Sequence, residues 1–414
     1  MTSAYFSRSF LASVFLSLIG PVVAAEPLCE LKKGDHLAIV GSGLADRQQH
    51  HGWFEALIHK AYPDADLTIR NLGFAADEIN LHPRSQDVPP TEWFLAMKKG
   101  DSTPGNPGII YKAGTDFGAD VIFAYWGFNE SFRGPEGLTD FKSNLDQYIN
   151  KMQAANFSGK GAPRLVFFSP IAQEDLKDPN YSDGAKNNVN LALYTQAMAE
   201  VCKAKNVPFV DLFAPSKEIF DKTEKALTIN GIHLKEEGDK LLAPVQFKAV
   251  FGKEPAATTD KTVVKIREAV LLKNAEWHHR YRTVDQFNIY GDRSRIAYEG
   301  VTNAKILGQE MAQRDVKTEN RDKLVWALAK GLNFTVADDN LPPVDLTPPN
   351  RKNAVPYVDP DKAVELIEHA DGCRVELIAS EKNFPELINP VQMNFDTKGR
   401  LWIAAWPSYP ETMP

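Results

Sequence analysis

Cysteine is scarce in this sequence. The 414 residues include three cysteines, Cys29, Cys202 and Cys373. None of them belongs to a CxxC pair or to a zinc-binding spacing, which excludes a disulfide framework and a cysteine-based zinc centre. At most one disulfide bridge could form, and we expect none.

The chain also lacks an excess of positive charge. Lys and Arg total 47 and Asp and Glu total 54, so the formal net charge is −7. A broad basic surface for a phosphate backbone is absent, which argues against nucleic-acid binding. The hydrophobic content of 43% is ordinary for a globular protein, and at roughly 150 residues per domain the length predicts two or three domains.

Long apolar runs are equally scarce. One such run, Phe10–Ile19, follows Arg8 and precedes Val23-Ala24-Ala25, where signal peptidase favours small residues. The run is shorter than the ~20 residues of a spanning helix, which disfavours a membrane anchor. We therefore predict a signal peptide over residues 1–25, export to the periplasm or the outside, and no transmembrane span.

Between residues 31 and 251, short apolar runs alternate with amphipathic helical patterns. The runs predict five strands: His36–Val40, Leu67–Asn71, Val121–Tyr125, Arg164–Phe168 and Pro208–Leu212. The other patterns predict four helices: Trp53–Ala61, Asp140–Ala155, Asn187–Lys205 and Leu234–Val250. Such alternation implies a parallel sheet covered by helices on both faces, with reactive groups at the carboxyl ends of the strands.

The pattern changes after residue 252. Helical stretches over Thr262–His279 and Thr302–Leu332, with a short strand-like run at Phe287–Tyr290, predict a helical extension over residues 253–340. Six prolines in residues 341–360 predict a stiff linker and a domain boundary.

Residues 361–414 begin a third pattern, which predicts the first strands of a β domain. Arg374–Ala379 alternates in polarity, and Val391–Phe395 and Leu401–Trp406 flank a turn that contains Gly399. Two or three strands are too few to be stable alone, so we expect the remainder of that domain to follow Pro414.

Polar residues and glycines gather in four loops next to predicted strands and before the last helix. Strand-end glycines expose backbone N–H groups, asparagine adds a side-chain donor, and histidine adds a base. These are the parts of an acyl-transfer site with an oxyanion hole. The loops are Gly41 to Asp46, Asn71 to Asp77, Trp126 to Glu130, and Asn230 to Leu234.

These loops resemble those of the SGNH (GDSL-type) hydrolase superfamily over about residues 31–252. Gly127-x-Asn129-Glu130 is similar to the family's G-x-N-D block, and Asn230-Gly231-Ile232-His233 is similar to its D-G-x-H block. The resemblance implies a flavodoxin-like three-layer α/β sandwich. It also implies His233 as general base, Asn129 and Gly73 as oxyanion donors, and Gly127, Glu130 and Asn230 as substrate-binding residues.

The sequence departs from the family pattern at the two most reactive positions. Gly41-Ser42-Gly43-Leu44 aligns with G-D-S-L, so Gly43 occupies the nucleophile position and Ser42 lies one residue early. Ser42 is either a displaced nucleophile or a turn residue that caps the next helix. Asn230 replaces the aspartate, and the same change in a well-studied serine triad costs ~10⁴ in turnover. Ala76 stands where a second glycine is usual, and its N–H could still serve.

Other polar residues have competing interpretations. Asp46 and Arg47 could replace the lost polar groups, or they form a solvated first helical turn. The pairs His50-His51 and His278-His279 are adjacent, and neighbouring residues on a helix point in different directions, so we predict no metal site and no cofactor. The segment from Trp277 to Arg282 either covers the cleft as a lid or ends a helix with favourable cations.

The remaining segments resemble large exported proteins of planctomycete-type bacteria. Trp277-x-x-Arg280-Tyr281-Arg282, Asn320-Arg321-Asp322-Lys323, Asn389 to Met393 and Gly399 to Trp402 carry this likeness. In such proteins the β segment opens a propeller of the membrane-bound or sorbosone-dehydrogenase-like kind, and a c-type haem module follows. This chain contains no C-x-x-C-H, so the resemblance implies an incomplete propeller and no haem.

Two functions follow from these patterns. The first is hydrolysis of an ester outside the cytoplasm, such as an acyl group on a polysaccharide. The second is a catalytically degenerate module that binds a glycan or docks the rest of the propeller. Gly43 and Asn230 favour the second function, whereas Asn129 and His233 favour the first.

Overall fold

The computed structural model describes residues 26–84, 88–102, 112–283, 286–345 and 357–406. The predicted export segment, residues 1–25, lies outside these ranges, as do residues 346–356 of the proline-rich linker. None of the helices within the ranges combines the length and the apolar character that a membrane-spanning segment requires.

A five-stranded parallel sheet forms the centre of the fold. Its strands are β1 (His36–Gly41), β2 (Thr68–Asn71), β3 (Val121–Tyr125), β4 (Arg164–Phe168) and β5 (Phe209–Val210). They are arranged in the order β2-β1-β3-β4-β5, and each neighbouring pair is parallel. This is the flavodoxin-like order, which reverses between β1 and β3 and leaves a crevice there. The predicted α/β sheet is confirmed, with every strand within two residues of its expected bounds.

Helices cover both faces of this sheet. They are α1 (Gly43–His51), α2 (Trp53–Ala61), α3 (Thr91–Ala96), α4 (Leu138–Ala154), α5 (Ala185–Ala204), α6 (Phe213–Lys222), α7 (Glu236–Phe251), α8 (Lys261–Tyr281), α9 (Gln286–Ile289), α10 (Asn303–Ala329) and α11 (Pro360–Ala363). The four helices predicted between the strands are present. Helix α1 is not among those four, although Asp46 and Arg47 were considered as a first helical turn, because its sequence, GLADRQQHH, has too few apolar residues to show a helical period.

Alternate strand residues point to opposite faces and build two apolar clusters. Leu37 and Ile39 of β1 pack with α2 and α7, whose contributions include Phe54 and Phe247. The alternate residues of β1, Ala38 and Val40, point to the other face and pack with α4 and α5. The helices contribute Phe141, Leu145, Tyr194 and Met198. Burial of the strands on both faces explains their nearly continuous apolar sequences.

Strand β2 lies at the edge of the sheet, and the helical extension covers it. Unpaired edge carbonyls need donors when they are buried. Side chains of α8 and α10 supply them through four hydrogen bonds: Trp326 Nε1 to Leu67 O (2.7 Å), Lys273 Nζ to Ile69 O (2.9 Å), Trp277 Nε1 to Asn71 O (2.6 Å) and Tyr281 Oη to Leu72 O (2.8 Å).

One buried ion pair joins the extension to the sheet, and another holds the two long helices of the extension together. Arg70 of β2 makes two hydrogen bonds, of 3.0 and 2.5 Å, to the carboxylate of Asp322 on α10. Within the extension, Arg280 of α8 pairs with Asp315 of α10 at 2.7 Å, and both side chains are fully buried. Helices α8 and α10 therefore contribute to the core beside the sheet, although the division into domains predicted from the sequence stays a prediction.

The C-terminal segment forms a two-stranded antiparallel hairpin, β8 (Pro390–Phe395) and β9 (Leu401–Ala405). Gly399 has φ 73° in its turn, as expected. A propeller blade has four strands. The described part of this segment supplies two, so the propeller stays a prediction.

Two predicted strands are wrong. Phe287–Tyr290 overlaps the short helix α9, because brief apolar runs do not distinguish helix from strand. Arg374–Ala379 is not a strand and has no strand to pair with. A small hairpin of β6 (Ala297–Tyr298) and β7 (Val301–Thr302) was not predicted.

Candidate active site

A cavity of about 300 Å³ opens at the carboxyl ends of β1, β3 and β4. The switch in strand order between β1 and β3 creates this crevice, which is the usual ligand position in such sheets. Residues from all four predicted loops line it, so the structure brings these loops together. The lining residues include Ser42, Gly43, Leu44, Ala75, Ala76, Phe128, Asn129, Phe132, Pro170, Ile171, Ile232 and His233.

Gly43, the first residue of α1, stands opposite the imidazole of His233. A β-carbon built on Gly43 would lie 3.3 Å from Nε2 and 3.5 Å from Cδ2 of that ring. A hydroxyl carried by such a carbon could reach Nε2 at hydrogen-bond distance, which a nucleophile and its base require. The backbone of Gly43 does not have a positive φ, so an L-residue could occupy this position without backbone strain.

Asn230 orients His233. Oδ1 of Asn230 lies 3.1 Å from Nδ1 of His233, and it also accepts hydrogen bonds from the backbone N–H groups of Ile232 (3.3 Å) and His233 (3.1 Å). Two backbone donors identify the atom facing the ring as the amide oxygen rather than the nitrogen. Nδ1 therefore carries the proton, and the lone pair of Nε2 faces Gly43.

The surroundings of His233 favour its neutral form. Partial burial lowers the pKa of His233, and the positive charge of Arg47 lowers it further, while Asp46 acts in the opposite direction. Asn230 supplies the hydrogen bond of the family's aspartate but not its charge. A neutral imidazole can accept a proton, yet the resulting imidazolium would have no adjacent carboxylate to stabilise it.

Ser42 lies in the same cavity but is not hydrogen-bonded to His233. Its backbone N–H donates to Tyr125 O at 3.0 Å, which extends the β1–β3 pairing by one residue. Its hydroxyl does not cap α1, and it forms no hydrogen bond to another described residue. The structure thus places Ser42 beside the base position without the contact that activates a nucleophile.

The second loop presents Ala76, and not Gly73, to the cavity. The N–H of Gly73 donates to Oδ1 of Asn71 at 2.8 Å, and a β-carbon on Gly73 would collide with the backbone of Ala45 and Asp46. Gly73 packs against α1, so its N–H is not available as the expected oxyanion donor. Ala76 lines the cavity with φ 69°, a left-handed conformation that usually requires glycine, which explains why the family has glycine there.

Asn129 reaches the cavity from the third loop. Its Nδ2 donates to Asp77 O at 2.9 Å, which fixes the amide against the second loop. An amide nitrogen carries two hydrogens, so one remains for a ligand oxygen. Asn129 is therefore one candidate oxyanion donor. The N–H of Gly43 is a second, because the first N–H of a helix has no intrahelical acceptor. The N–H of Ala76, which lines the cavity, is the third.

Glu130 and Gly127 support the third loop from behind. Glu130 is buried and accepts hydrogen bonds from the backbone N–H groups of Ile79 (3.1 Å) and Gly127 (3.0 Å). Burial raises the pKa of Glu130 to about 7. Gly127 has φ 98° and packs against Met198 and Pro170. Neither residue lines the cavity, and the substrate-binding role expected for them stays a prediction.

The structure also places Asp46 and Arg47, and the segment from Trp277 to Arg282. Asp46 pairs with Arg282 at 3.0 Å, and Arg47 Nε donates to Leu234 O at 3.2 Å, so both hold α1 in place rather than entering the cavity. Trp277 and Tyr281 are buried and bond to the edge of β2. This segment is the end of a core helix and not a lid.

One histidine of each adjacent pair meets one of the other pair. One residue of each pair, His50 on α1 and His278 on α8, meets the other with ring centroids 5.2 Å apart. Burial, together with neighbouring His50 and Arg282, lowers the pKa of His278 to about 4. Asp46 lies with them, and the ligand atoms of these three residues are within 4.8 Å of one another.

The sequence did not predict the wall of the cavity formed after β4. Ser169, Pro170 and Ile171 follow that strand and line the cavity, as does Phe132, which is 60% exposed. The rule that reactive groups lie at the carboxyl ends of strands applies to β4 as well. The sequence does not single these residues out, because they belong to no motif with a reactive group.

Comparison with known proteins agrees with this geometry. The GDSL-like Lipase/Acylhydrolase family matches residues 34–241, and a domain of unknown function, DUF7133, matches residues 359–414. No curated protein matches the chain.

Among solved structures, the chain is similar to an acetylxylan esterase, Axe2, from Geobacillus stearothermophilus. Identity is 14%, the match covers 54% of this chain and 96% of that one, and the TM-score is 0.39. The chain is also similar to a gut microbial diltiazem-metabolizing enzyme, with 16% identity over 55% of this chain and 48% of that one, and a TM-score of 0.38. For an alpha/beta hydrolase from the metagenome of Lake Arreo, Spain, the identity is 13% over 53% of this chain and 96% of that one, and the TM-score is 0.36. These likenesses are too distant to bear on the substrate.

The sheet order and the strand-end cavity are those of an SGNH-type domain, with Asn230 in place of the aspartate that the family pairs with its histidine. The chain belongs to the GDSL-like lipase/acylhydrolase family.

Proposed function

We propose that this SGNH domain binds a short acyl ester in its cavity without forming an acyl-serine intermediate. The observation that carries the proposal is the position of Gly43, whose missing β-carbon would lie 3.3 Å from the base. A serine hydrolase needs an oxygen there to attack the acyl carbon. Gly43 supplies a backbone N–H and an opening but no nucleophile.

The cavity walls support an acyl group as the ligand. Its lining is mostly apolar, and its polar residues include His233 and Asn129. A volume of about 300 Å³ is at the small end of ligand sites, which favours a short chain. The carbonyl oxygen of a bound ester would accept from Asn129 and the N–H groups of Gly43 and Ala76. An acylated polysaccharide as the natural ligand, export of the chain and a following propeller remain predictions from the sequence.

Hydrolysis through Ser42 is the second candidate function. It is favoured by one observation: Ser42 lines the cavity, and its hydroxyl has no hydrogen-bond partner among the described residues. A change of side-chain rotamer would be needed to bring it to His233.

A fluorophosphonate probe separates the two functions. The probe phosphonylates a serine oxygen that an adjacent base has activated, with fluoride as the leaving group. We expect no labelled serine in the wild-type protein by mass spectrometry, and labelling at position 43 in Gly43→Ser. Labelling of wild type at Ser42, lost in both Ser42→Ala and His233→Ala, would establish the second function instead.

Binding is tested by calorimetric titration of wild type with p-nitrophenyl butyrate. Ile232→Trp fills the cavity and should abolish the binding heat, whereas Leu332→Trp, on the exposed surface, is the matched control. Equal binding by wild type and Ile232→Trp would show that the ester does not occupy this cavity.

A further inference from the structure

Two imidazoles and a carboxylate, none of which lines the cavity, converge between α1 and α8. Asp46 and His50 are four residues apart on α1 and therefore share a face. His278 approaches from α8, with its ring edge-on to His50 at a centroid distance of 5.2 Å. One ligand atom from each of the three residues lies within 4.8 Å of the others.

The two imidazoles have no other partner in the described part of the chain. Among the described residues, no hydrogen bond or salt bridge holds a ring nitrogen of His50 or His278, whose rings contact each other and whose charged neighbours are Asp46, Arg47 and Arg282. His50 is exposed and His278 is half-buried, so a small ion could reach both from solvent. Imidazole nitrogens that face one another without a shared proton or acceptor are available as metal ligands.

Asp46 is held in the way that metal-ligating carboxylates usually are. Its Oδ1 accepts hydrogen bonds from Gln49 Nε2 (3.0 Å) and Arg282 Nη1 (3.0 Å). Oδ2 has no recorded donor among the described residues. Donors on one oxygen fix the orientation of the carboxylate and leave the second oxygen for the ion.

The donor set selects the class of metal. One carboxylate next to the cation of Arg282 gives too little negative charge for Ca²⁺ or Mg²⁺, which need several oxygen ligands. Two imidazoles and one carboxylate are a common donor set for Zn²⁺, whose open position is filled by water. A tetrahedral ion with bonds of about 2.0–2.1 Å separates its ligand atoms by about 3.4 Å, so side-chain rotations would close the present spacing.

We propose that Asp46, His50 and His278 form a binding site for a borderline transition-metal dication of the Zn²⁺ type. The ion would join α1 to α8. Because α1 begins at Gly43, the site would also brace the helix that presents the cavity's first loop. The residues of this site lie on two helices whose histidines are far apart in the sequence, which is why adjacent pairs in the sequence pointed away from a metal.

Calorimetric titration of the full, untagged chain with ZnCl₂ at neutral pH, after treatment with a chelator, tests the site. We expect one bound ion per chain and a rise in the thermal unfolding midpoint on addition of Zn²⁺. His50→Ala and His278→Ala should each weaken binding by at least about 10-fold, since even loss of a group that supports a ligand costs that much. His279→Ala, next to His278 but outside the cluster, and His369→Ala, on the exposed surface, should bind as wild type.

X-ray absorption of the zinc-loaded protein gives a readout that does not depend on the stability of the variants. It should show two imidazole ligands at zinc. Absence of stoichiometric binding to wild type, binding unchanged in both His50→Ala and His278→Ala, or a spectrum without two imidazoles would overturn the proposal.

Discussion

The α-carbon of Gly43 faces Nε2 of His233, so that a β-carbon at residue 43 would lie 3.3 Å from the ring nitrogen. The base is therefore aimed at the position from which a serine oxygen would attack. The site keeps the orientation of the base and the donors for a carbonyl oxygen. What is missing is the nucleophile and the charge behind the base.

The first prediction concerns that charge. Asn230→Asp should raise the pKa of His233, because a carboxylate next to Nδ1 stabilises the imidazolium. In the wild-type protein this pKa is depressed by burial and Arg47. Histidine-selective NMR titration measures it, with His278 as the internal control, since Asn230 does not contact that ring. An unchanged pKa of His233 would mean that residue 230 does not face Nδ1.

The second prediction concerns the helical extension. Asp322→Ala leaves the Arg70 guanidinium buried without its partner, and such a loss costs about 3–5 kcal/mol. Urea unfolding monitored by far-UV circular dichroism should show the whole sheet destabilised in one transition. Asp338→Ala removes a partly exposed partner of Arg321 and should cost about 0–1 kcal/mol. Equal small effects of the two variants would show that the extension does not stabilise the sheet.

The third prediction is a pH dependence of stability. Burial raises the pKa of Asp239 to about 7 from its ordinary value near 3.8. Between about pH 4 and pH 7 the unfolded chain has lost this proton while the folded protein keeps it, so this residue makes stability fall as pH rises through that window. Above the folded pKa the loss is complete. Glu130, whose pKa is also raised to about 7, acts in the same direction.

Asp239→Asn isolates the contribution of Asp239. The amide does not titrate, so the variant should lose less unfolding free energy than wild type between pH 5 and pH 8, measured by urea titration at each pH. The remaining slope would come from Glu130 and other groups. Identical slopes in the two proteins would contradict a raised pKa at Asp239.

Much of the sheet could be predicted from the sequence, because strands buried on both faces have continuous apolar runs. Helix α1 could not, since its residues are mostly polar and its position depends on contacts with α8. The contact between the extension and the edge of β2 could not be predicted for the same reason. Trp277, Lys273 and Trp326 act as donors to the edge of β2, and these contacts join residues that are distant in the chain.

The candidate site was predicted in part. His233 and Asn129 were found because their motifs have fixed spacing, and both line the cavity. Gly73 was chosen by position in its motif, but its N–H is held by Asn71, and Ala76 reaches the cavity instead. A short loop can present any of several N–H groups, and only its conformation decides which one.

We propose that the site lacks a nucleophile and otherwise retains the geometry of a hydrolase. Steady-state hydrolysis of p-nitrophenyl acetate by Gly43→Ser/Asn230→Asp tests it most directly. We expect the double variant to gain activity over wild type, with Asn230→Asp contributing up to about 10⁴-fold beyond Gly43→Ser alone. The gain should disappear when His233→Ala is added. A correctly folded double variant with no gain, or a gain that survives His233→Ala, would contradict the claim.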